Sequence, residues 1–405
     1  MEIWFFSAYD QPHGHSSRTF WYASELAKRG HKVTMLTNSY CHFTHVDVRT
    51  FCEKWKIEQI DGVRVVWLKT ISYEGNNWKR AVNMLLNAFR CRQFSRQKNE
   101  HPDIIVGPSV PILTGLAASC VAKRKNAAFI YEVRDIWPQA LVDLGKIKSG
   151  GFVEKILKMI EKSLYMRSFH IVSALPYAYR HIAKFGIDKK KITWIPNGVD
   201  LEPFENIKQY DGGMPGCITV LYIGRFAAGH DVETILACAA ILKGEYAEKI
   251  KFVIVGDGPN KDKIFEKAEK ENLNNVEFQS MVPKSEVASK CALADILIAS
   301  IQNISIFKYG INLNKLYDYF ASGRPVILAA NTPNDPVTDS GAGITVAAED
   351  PVLMAQAIVN IFNMSPSERA VMGQRAKEYA SQYYDKRVLT DNYEVILNNW
   401  RTCPK

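Results

Sequence analysis

At 405 residues the chain exceeds one ordinary core and fits two domains of about 200 residues each. Its composition, 47% hydrophobic and 23% charged, is globular and excludes a disordered chain, and no apolar run approaches the ~18 residues that span a bilayer. The net charge of +9 is uneven: residues 1–200 hold 30 Lys+Arg against 17 Asp+Glu, and the remainder 21 against 25. That asymmetry predicts an anionic membrane or another polyanion as partner of the first half. The eight cysteines contain no C-x-x-C pair and read as reduced, cytosolic thiols.

Met1-Glu2-Ile3-Trp4-Phe5-Phe6 has an acid where a signal peptide carries lysine, so it reads as a first strand. Asp10-Gln11-Pro12-His13-Gly14-His15-Ser16-Ser17 follows, then a helical pattern to about Arg29, a stop at Gly30 and a strand over 31–37. This is a βαβ opening without the G-x-G-x-x-G fingerprint. Gly14-His15 lets backbone approach a ligand at the edge where open α/β sheets bind; a plain structural turn is the alternative. Residues 57–67 predict a hairpin turning on Asp61-Gly62. Trp78–Lys98 predicts a basic amphipathic helix, which either lies on an anionic membrane or packs with a solvated basic face.

Strands follow over 103–107 and 127–133, the second ending in Arg134-Asp135. Charges at the C-terminal end of a strand belong to a binding edge more often than to a core. Phe152–Met166 predicts an amphipathic helix whose apolar face packs inward. After a strand over 170–174 and the string Ile195-Pro196-Asn197-Gly198-Val199-Asp200, residues 211–216 have linker composition. A second domain restarts at Ile218. Its strand runs into Gly224-Arg225-Phe226-Ala227-Ala228-Gly229-His230-Asp231, a turn placed to face phosphate, where Arg225 offers a fork to oxygen atoms. An exposed Arg225 and a helix-capping Asp231 form the purely structural alternative.

The last informative stretch is Gly310–Pro325. It predicts a short helix with Asn312 or Asn314 at its cap, Gly323 at the left-handed stop and Pro325 barring continuation. A helix start aimed at a ligand offers free N–H groups and a positive dipole end, to which Lys315 adds a full charge. Asp318 lies one turn on, within reach of a hydroxyl attached to a bound phosphate. From Pro351 to Trp400 the pattern is almost wholly helical.

Asn314-Lys315-Leu316-x-Asp318-Tyr319-x-Ala321-x-Gly323-x-Pro325-Val326 resembles the donor-site signature of family 4 glycosyltransferases, N-K-L-x-E-x-M-A-x-G-x-P-V. The resemblance implies the GT-B architecture, an α/β fold of two Rossmann-like domains with parallel sheets facing across a cleft. The first would span 1–203, with a returning helix in 385–405, and the donor domain 204–384. By the same resemblance, Gly14 and His15 face the donor's diphosphate and the acceptor. Arg225 and His230 stand where the family has Arg and Lys, Val282 lies in the segment whose backbone reads the base, and Asp318 holds the ribose. Two departures stand out. Arg134-Asp135 replaces the usual His-Asp, and Gly310 replaces the first of two glutamates eight residues apart. The wording around Val133–Pro138 and Gly229–Thr234 is similar to the N-acetylfucosamine transferase-like branch of surface-polysaccharide pathways.

The implied activity is retaining, metal-independent transfer from a UDP-sugar, a deoxy-amino sugar such as N-acetylfucosamine being the expected donor, to a lipid-diphosphate-linked saccharide for capsule or O-antigen-type polymer. Arg134, Asp135, His15 and Arg225 are the expected catalytic residues. Gly14, Arg225, His230, Val282, Gly310, Asn314, Lys315, Leu316 and Asp318 are the expected donor-binding residues. No metal, cofactor or nucleic acid is expected, and the place expected is the inner face of the cell membrane. A sugar-nucleotide 2-epimerase of the same architecture and a catalytically silent transferase-like subunit are the rival readings.

Overall fold

The computed structural model describes residues 1–14, 18–75, 77–96 and 100–402. The chain folds as two compact units, residues 1–196 with 389–405 and residues 197–388. The division thus falls after Pro196 and not at the expected 203. Arg18 still holds the carbonyls of Ile195 and Pro196 in the first unit. The return falls at Leu389, whose side chain joins the first unit's core, and not at 385.

In the first unit, β1 (Glu2–Phe6), β2 (Lys32–Asn38), β3 (Trp55–Ile60), β4 (Val63–Leu68), β5 (Ile104–Pro108), β6 (Ala128–Val133), β7 (His170–Ser173) and β8 (Ile192–Trp194) form one sheet. Its order is β3-β4-β2-β1-β5-β6-β7-β8, and every pair is parallel except the β3–β4 hairpin. The hairpin turns on Asp61 (φ 47) and Gly62 (φ 78), the two left-handed residues a tight primed turn requires. Winding reverses at β1/β5, so the loops after these neighbouring strands diverge at their C-terminal edge.

Both faces of this sheet are covered, which is why β1, β2, β5 and β6 are buried along nearly their whole length. On one face Ile3, Phe5, Met35 and Val106 pack with Phe20 and Leu26 of the helix Arg18–Lys28. Tyr393 and Leu397 of the last helix, Lys386–Thr402, complete that layer. Helices Trp78–Phe94, Ile112–Lys125 and Phe152–Arg167 cover the other face, the middle one packed against both outer ones. A Cβ at Gly107 would lie 2.6 Å from Ala118 Cβ, so glycine here sets how closely the middle helix approaches the sheet.

The second unit has β9 (Ile218–Arg225), β10 (Ile250–Asp257), β11 (Val276–Gln279), β12 (Ile296–Ser300), β13 (Val326–Ala329) and β14 (Gly343–Val346). All neighbours are parallel, in the order β11-β10-β9-β12-β13-β14. Here winding reverses at β9/β12, and the loops that follow them are stitched by a bridge between His230 and Ile301. Both units are therefore Rossmann-like.

At the edge of β1 and β6 a buried charge network closes the first unit. The Asp10 carboxylate accepts the Thr19 N–H at 2.9 Å and Arg134 Nη2 at 2.6 Å. Glu132 accepts Arg18 Nε at 2.6 Å on one oxygen and Arg134 Nη2 at 3.3 Å on the other. Burial opposes charge on Arg18, Glu132 and Arg134, yet the opposite partners win. Arg134 is held well above the usual guanidinium range by Asp10 and Glu132, and Glu132 is held below the usual carboxylate range by Arg134 and Arg18. Removing one member of a buried charge set strands the others. Asp10→Ala should cost about 3–5 kcal/mol in urea unfolding, and Asp10→Asn less, because it still accepts a hydrogen bond from Thr19. A loss below about 1 kcal/mol for Asp10→Ala would show that the network does not hold this edge.

Candidate active site

The helix Asn314–Ser322 begins beside the β9/β12 reversal and ends at Gly323 in the left-handed conformation (φ 67), as its sequence predicts. Its start differs. Leu313 is the cap residue and no side chain caps the helix. Asn312 Oδ1 instead accepts from the Asn197 backbone N–H at 3.0 Å and the Tyr317 hydroxyl at 2.7 Å, and Asn314 Oδ1 accepts from Asn197 Nδ2 at 2.7 Å. The two asparagines tether Asn197 and leave the helix start without a side-chain cap.

Lys315 lies in the first turn of that uncapped start. Its Nζ is closed to solvent and has no hydrogen-bond partner among the described residues. It sits 3.8 Å from the centre of the Tyr222 ring, the electron-rich face of which attracts a cation. A Cβ at residue 224 would lie 2.4 Å from Nζ, so Gly224 is what leaves room for it. Burial pushes the Lys315 ammonium down to about 7.

Arg225, at the exposed end of β9, and His230, in the following loop, are near enough for their charges to act together. Burial, then Lys315 and Arg225, push the His230 imidazole down to about 3. It is neutral at pH 7, and its buried Nδ1 also lacks a partner among the described residues. Asp231 caps the helix Val232–Leu242 by accepting the Thr234 N–H at 3.1 Å. A buried ammonium, an imidazole with an unpartnered nitrogen, an exposed guanidinium and uncapped helix amides converge at one sheet edge. That is the chemistry of a site for a multiply charged anion.

Asp318, one turn along, is buried, and Lys284 Nζ contacts both its carboxylate oxygens at 2.5 and 2.6 Å. Burial raises the Asp318 carboxyl, with Lys284 opposing. Leu316 is core, and Val282 is half-buried against the same cluster. Gly310 ends the turn Ser305–Tyr309 with φ 99 and ψ 171. A side chain is strained there, so glycine answers a backbone need as well as removing a carboxylate.

In the first unit, Arg134 is turned into the charge network, where its Nη2 also donates to Thr19 Oγ1 at 2.5 Å. Asp135 is exposed at the strand's end, with its carbonyl accepting the Ser109 hydroxyl at 3.1 Å. Gly14 closes a turn onto the Gln11 carbonyl at 3.2 Å. His15 lies outside the described residues.

The structure thus gathers Arg225, His230, Asn314, Lys315 and Asp318 around one helix start, and collects Gly14, Arg134 and Asp135 at the first unit's edge. Tyr222, Arg18 and Lys284 go unnoticed in the sequence, Lys284 though it adjoins the segment of Val282, whereas Gly224, Asp10 and Glu132 lie within the stretches singled out but are given no role of their own there.

Residues 13–198 match the family described as Glycosyl transferase 4-like domain, and residues 217–364 the family Glycosyl transferases group 1. The putative colanic acid biosynthesis glycosyl transferase WcaI of Escherichia coli K12 is 22% identical over 89% of this chain and 90% of its own. Among solved structures, sucrose-phosphate synthase of Thermosynechococcus elongatus superposes with a TM-score of 0.76 at 16% identity, covering 99% of both chains. HepE of Anabaena, in complex with UDP-glucose, superposes with a TM-score of 0.70 at 13% identity, over 98% of this chain and all of that one.

Lys315 generates a stability prediction with a defined sign. Its ammonium titrates near 7 when folded against 10.5 ordinarily, so the unfolded chain binds more protons between those values. Stability therefore rises with pH across that window, and the full cost of the buried charge is present below it. Lys315→Met should stabilise the ligand-free protein by on the order of 2–4 kcal/mol at pH 6, with the gain shrinking towards pH 10. Urea melts of both proteins at the two pH values measure it.

Proposed function

We propose that the chain, which matches a glycosyl transferase 4-like domain and then a group 1 domain, is a GT-B glycosyltransferase that moves a sugar from a UDP-sugar to a lipid-diphosphate-linked saccharide during synthesis of a surface polysaccharide. The observation that carries the donor half is the buried, unpartnered Lys315 ammonium at an uncapped helix start. A protein keeps such a charge where a ligand supplies the opposite one. The relative named for colanic acid biosynthesis supports the polymer, and the neighbour that holds UDP-glucose supports the donor.

In this reading the donor's diphosphate lies against Lys315, Arg225, His230 and the amides of Asn314 and Lys315. Charge develops on the departing phosphate, and donors fixed in advance stabilise it without reorganising. The ribose hydroxyls take the Asp318 carboxylate from Lys284, the backbone near Val282 meets the base, and Leu316 anchors the helix to the core. Gly310 leaves the sugar's surroundings without a carboxylate, which suits a deoxy-amino sugar such as N-acetylfucosamine. The bond from the anomeric carbon to phosphate breaks as the acceptor oxygen bonds to that carbon on the same face, and the departing phosphate takes the acceptor's proton. Configuration is retained, and no metal or other cofactor is called on. Asp135, Gly14 and His15 orient the acceptor, while Arg134 positions their loops through Asp10.

Thermal unfolding with excess UDP, GDP, ADP or CMP tests the donor site. A ligand at 100 times its Kd adds about 2.7 kcal/mol, a clear shift in melting temperature. UDP should give that shift, and both Asp318→Ala and Lys315→Met should lose it. A shift with no nucleotide would overturn the donor site and favour a catalytically silent subunit.

A further inference from the structure

The two outer helices on the first unit's sheet are turned inside out. In Trp78–Phe94 the buried residues are Asn83, Asn87, Cys91 and Phe94, whereas Trp78 is 70% exposed, Leu85 57% and Phe89 55%. With Val82, these three follow one helical stripe at i, i+4, i+7 and i+11. In Phe152–Arg167 the buried residues include Glu154 and Glu161, whereas Phe152 is 78% exposed and Met159 71%, with Ile156 between them. The expectation that this helix packs its apolar face inward holds only for Leu164 and Tyr165.

Hydrogen bonds lock this orientation. Asn87 Nδ2 donates to Asn38 Oδ1 at 2.7 Å and Asn38 Nδ2 to Asn83 Oδ1 at 3.2 Å. Thr114 donates to Asn87 Oδ1 at 2.7 Å, and Asn83 to the Ile71 carbonyl at 2.6 Å. Rotating the helix to bury its stripe would break a fully buried amide network. Glu161 is likewise held by Tyr165 and His181, at 2.9 and 2.7 Å.

The charge on these helices is one-sided. Trp78–Phe94 contains Lys79, Arg80, Arg90 and Arg92 and no acid. The acids of Phe152–Arg167 are the two buried ones, while Lys155 and Lys162 are exposed. Burial, then Arg96 and Arg92, disfavour the charge on Arg124 of the helix between them. Both outer helices begin after strands that end at the edge where Asp10 and Arg134 lie, and Arg80 reaches the Tyr9 hydroxyl in the loop after β1 at 3.2 Å.

We propose that this face, through Trp78, Leu85, Phe89, Phe152 and Met159 with their flanking lysines and arginines, docks the protein on an anionic lipid surface. Apolar side chains flanked by cations, with the carboxylates withdrawn, match a bilayer interface with negative headgroups. A second copy of the chain is the poorer match, because two-fold pairing would set like charge against like. The inference accords with a lipid-linked acceptor but does not depend on the donor site.

Co-sedimentation with vesicles tests it, using phosphatidylcholine alone or with one third phosphatidylglycerol. The full chain should bind the anionic vesicles, and less so in high salt. Leu85→Glu/Phe89→Glu and Ile156→Glu/Met159→Glu should each weaken binding by about tenfold or more. All four positions are exposed, so the melting temperature and the UDP-induced shift should be unchanged. These readouts separate a failed docking face from a failed fold or donor site. Undiminished binding by both variants, or no binding to anionic vesicles, would overturn the proposal. So would a dimer in sedimentation velocity that the same substitutions dissolve.

Discussion

A parallel sheet that reverses its winding must leave a gap where two neighbouring loops turn opposite ways. In the second unit that gap opens between β9 and β12, and every feature of the candidate site follows from it. Gly224, next to last in β9, leaves space on one side, and Lys315 enters from the helix on the other. Tyr222 provides the ring on which the ammonium rests. Without the reversal the same residues would lie along separate βα units and share no site.

The first unit reverses in the same way at β1/β5 but treats its charges differently. Asp10, Glu132, Arg18 and Arg134 pair with one another and fill their edge from within. In the second unit the Lys315 ammonium has no hydrogen-bond partner among the described residues. One fold thus supports a rigid, self-satisfied edge in one unit and an electrostatically unfinished one in the other.

Much of this was legible in the chain. Alternating strands and helices, Gly323 with Pro325, and Asp61-Gly62 each act through local backbone chemistry, and local chemistry can be read from neighbouring residues. The helix cap was misread because Asn312 and Asn314 are claimed by Asn197, more than a hundred positions away. Periodicity found the apolar stripe of Trp78–Phe94 but not the direction it faces, which is decided by Asn38 and Thr114 on other elements. Gly310 looked like a missing carboxylate, and only its positive φ reveals a backbone reason as well. Asp10 stood in plain view without its partners Thr19 and Arg134. Pairings across long separations are what a linear reading lacks.

The contact between Lys284 and Asp318 bears on how a ligand would enter. A buried carboxylate needs a counter-charge, and here an exposed lysine supplies it. On the proposed reading, arrival is a substitution of partners, in which the exposed Lys284 side chain gives up the Asp318 carboxylate. Side-chain swings of this kind take picoseconds to nanoseconds, far faster than loop or domain closure. If Asp318 takes the ribose as proposed, occupancy of that end would be set by competition between a hydroxyl pair and the Lys284 ammonium for the same two oxygens.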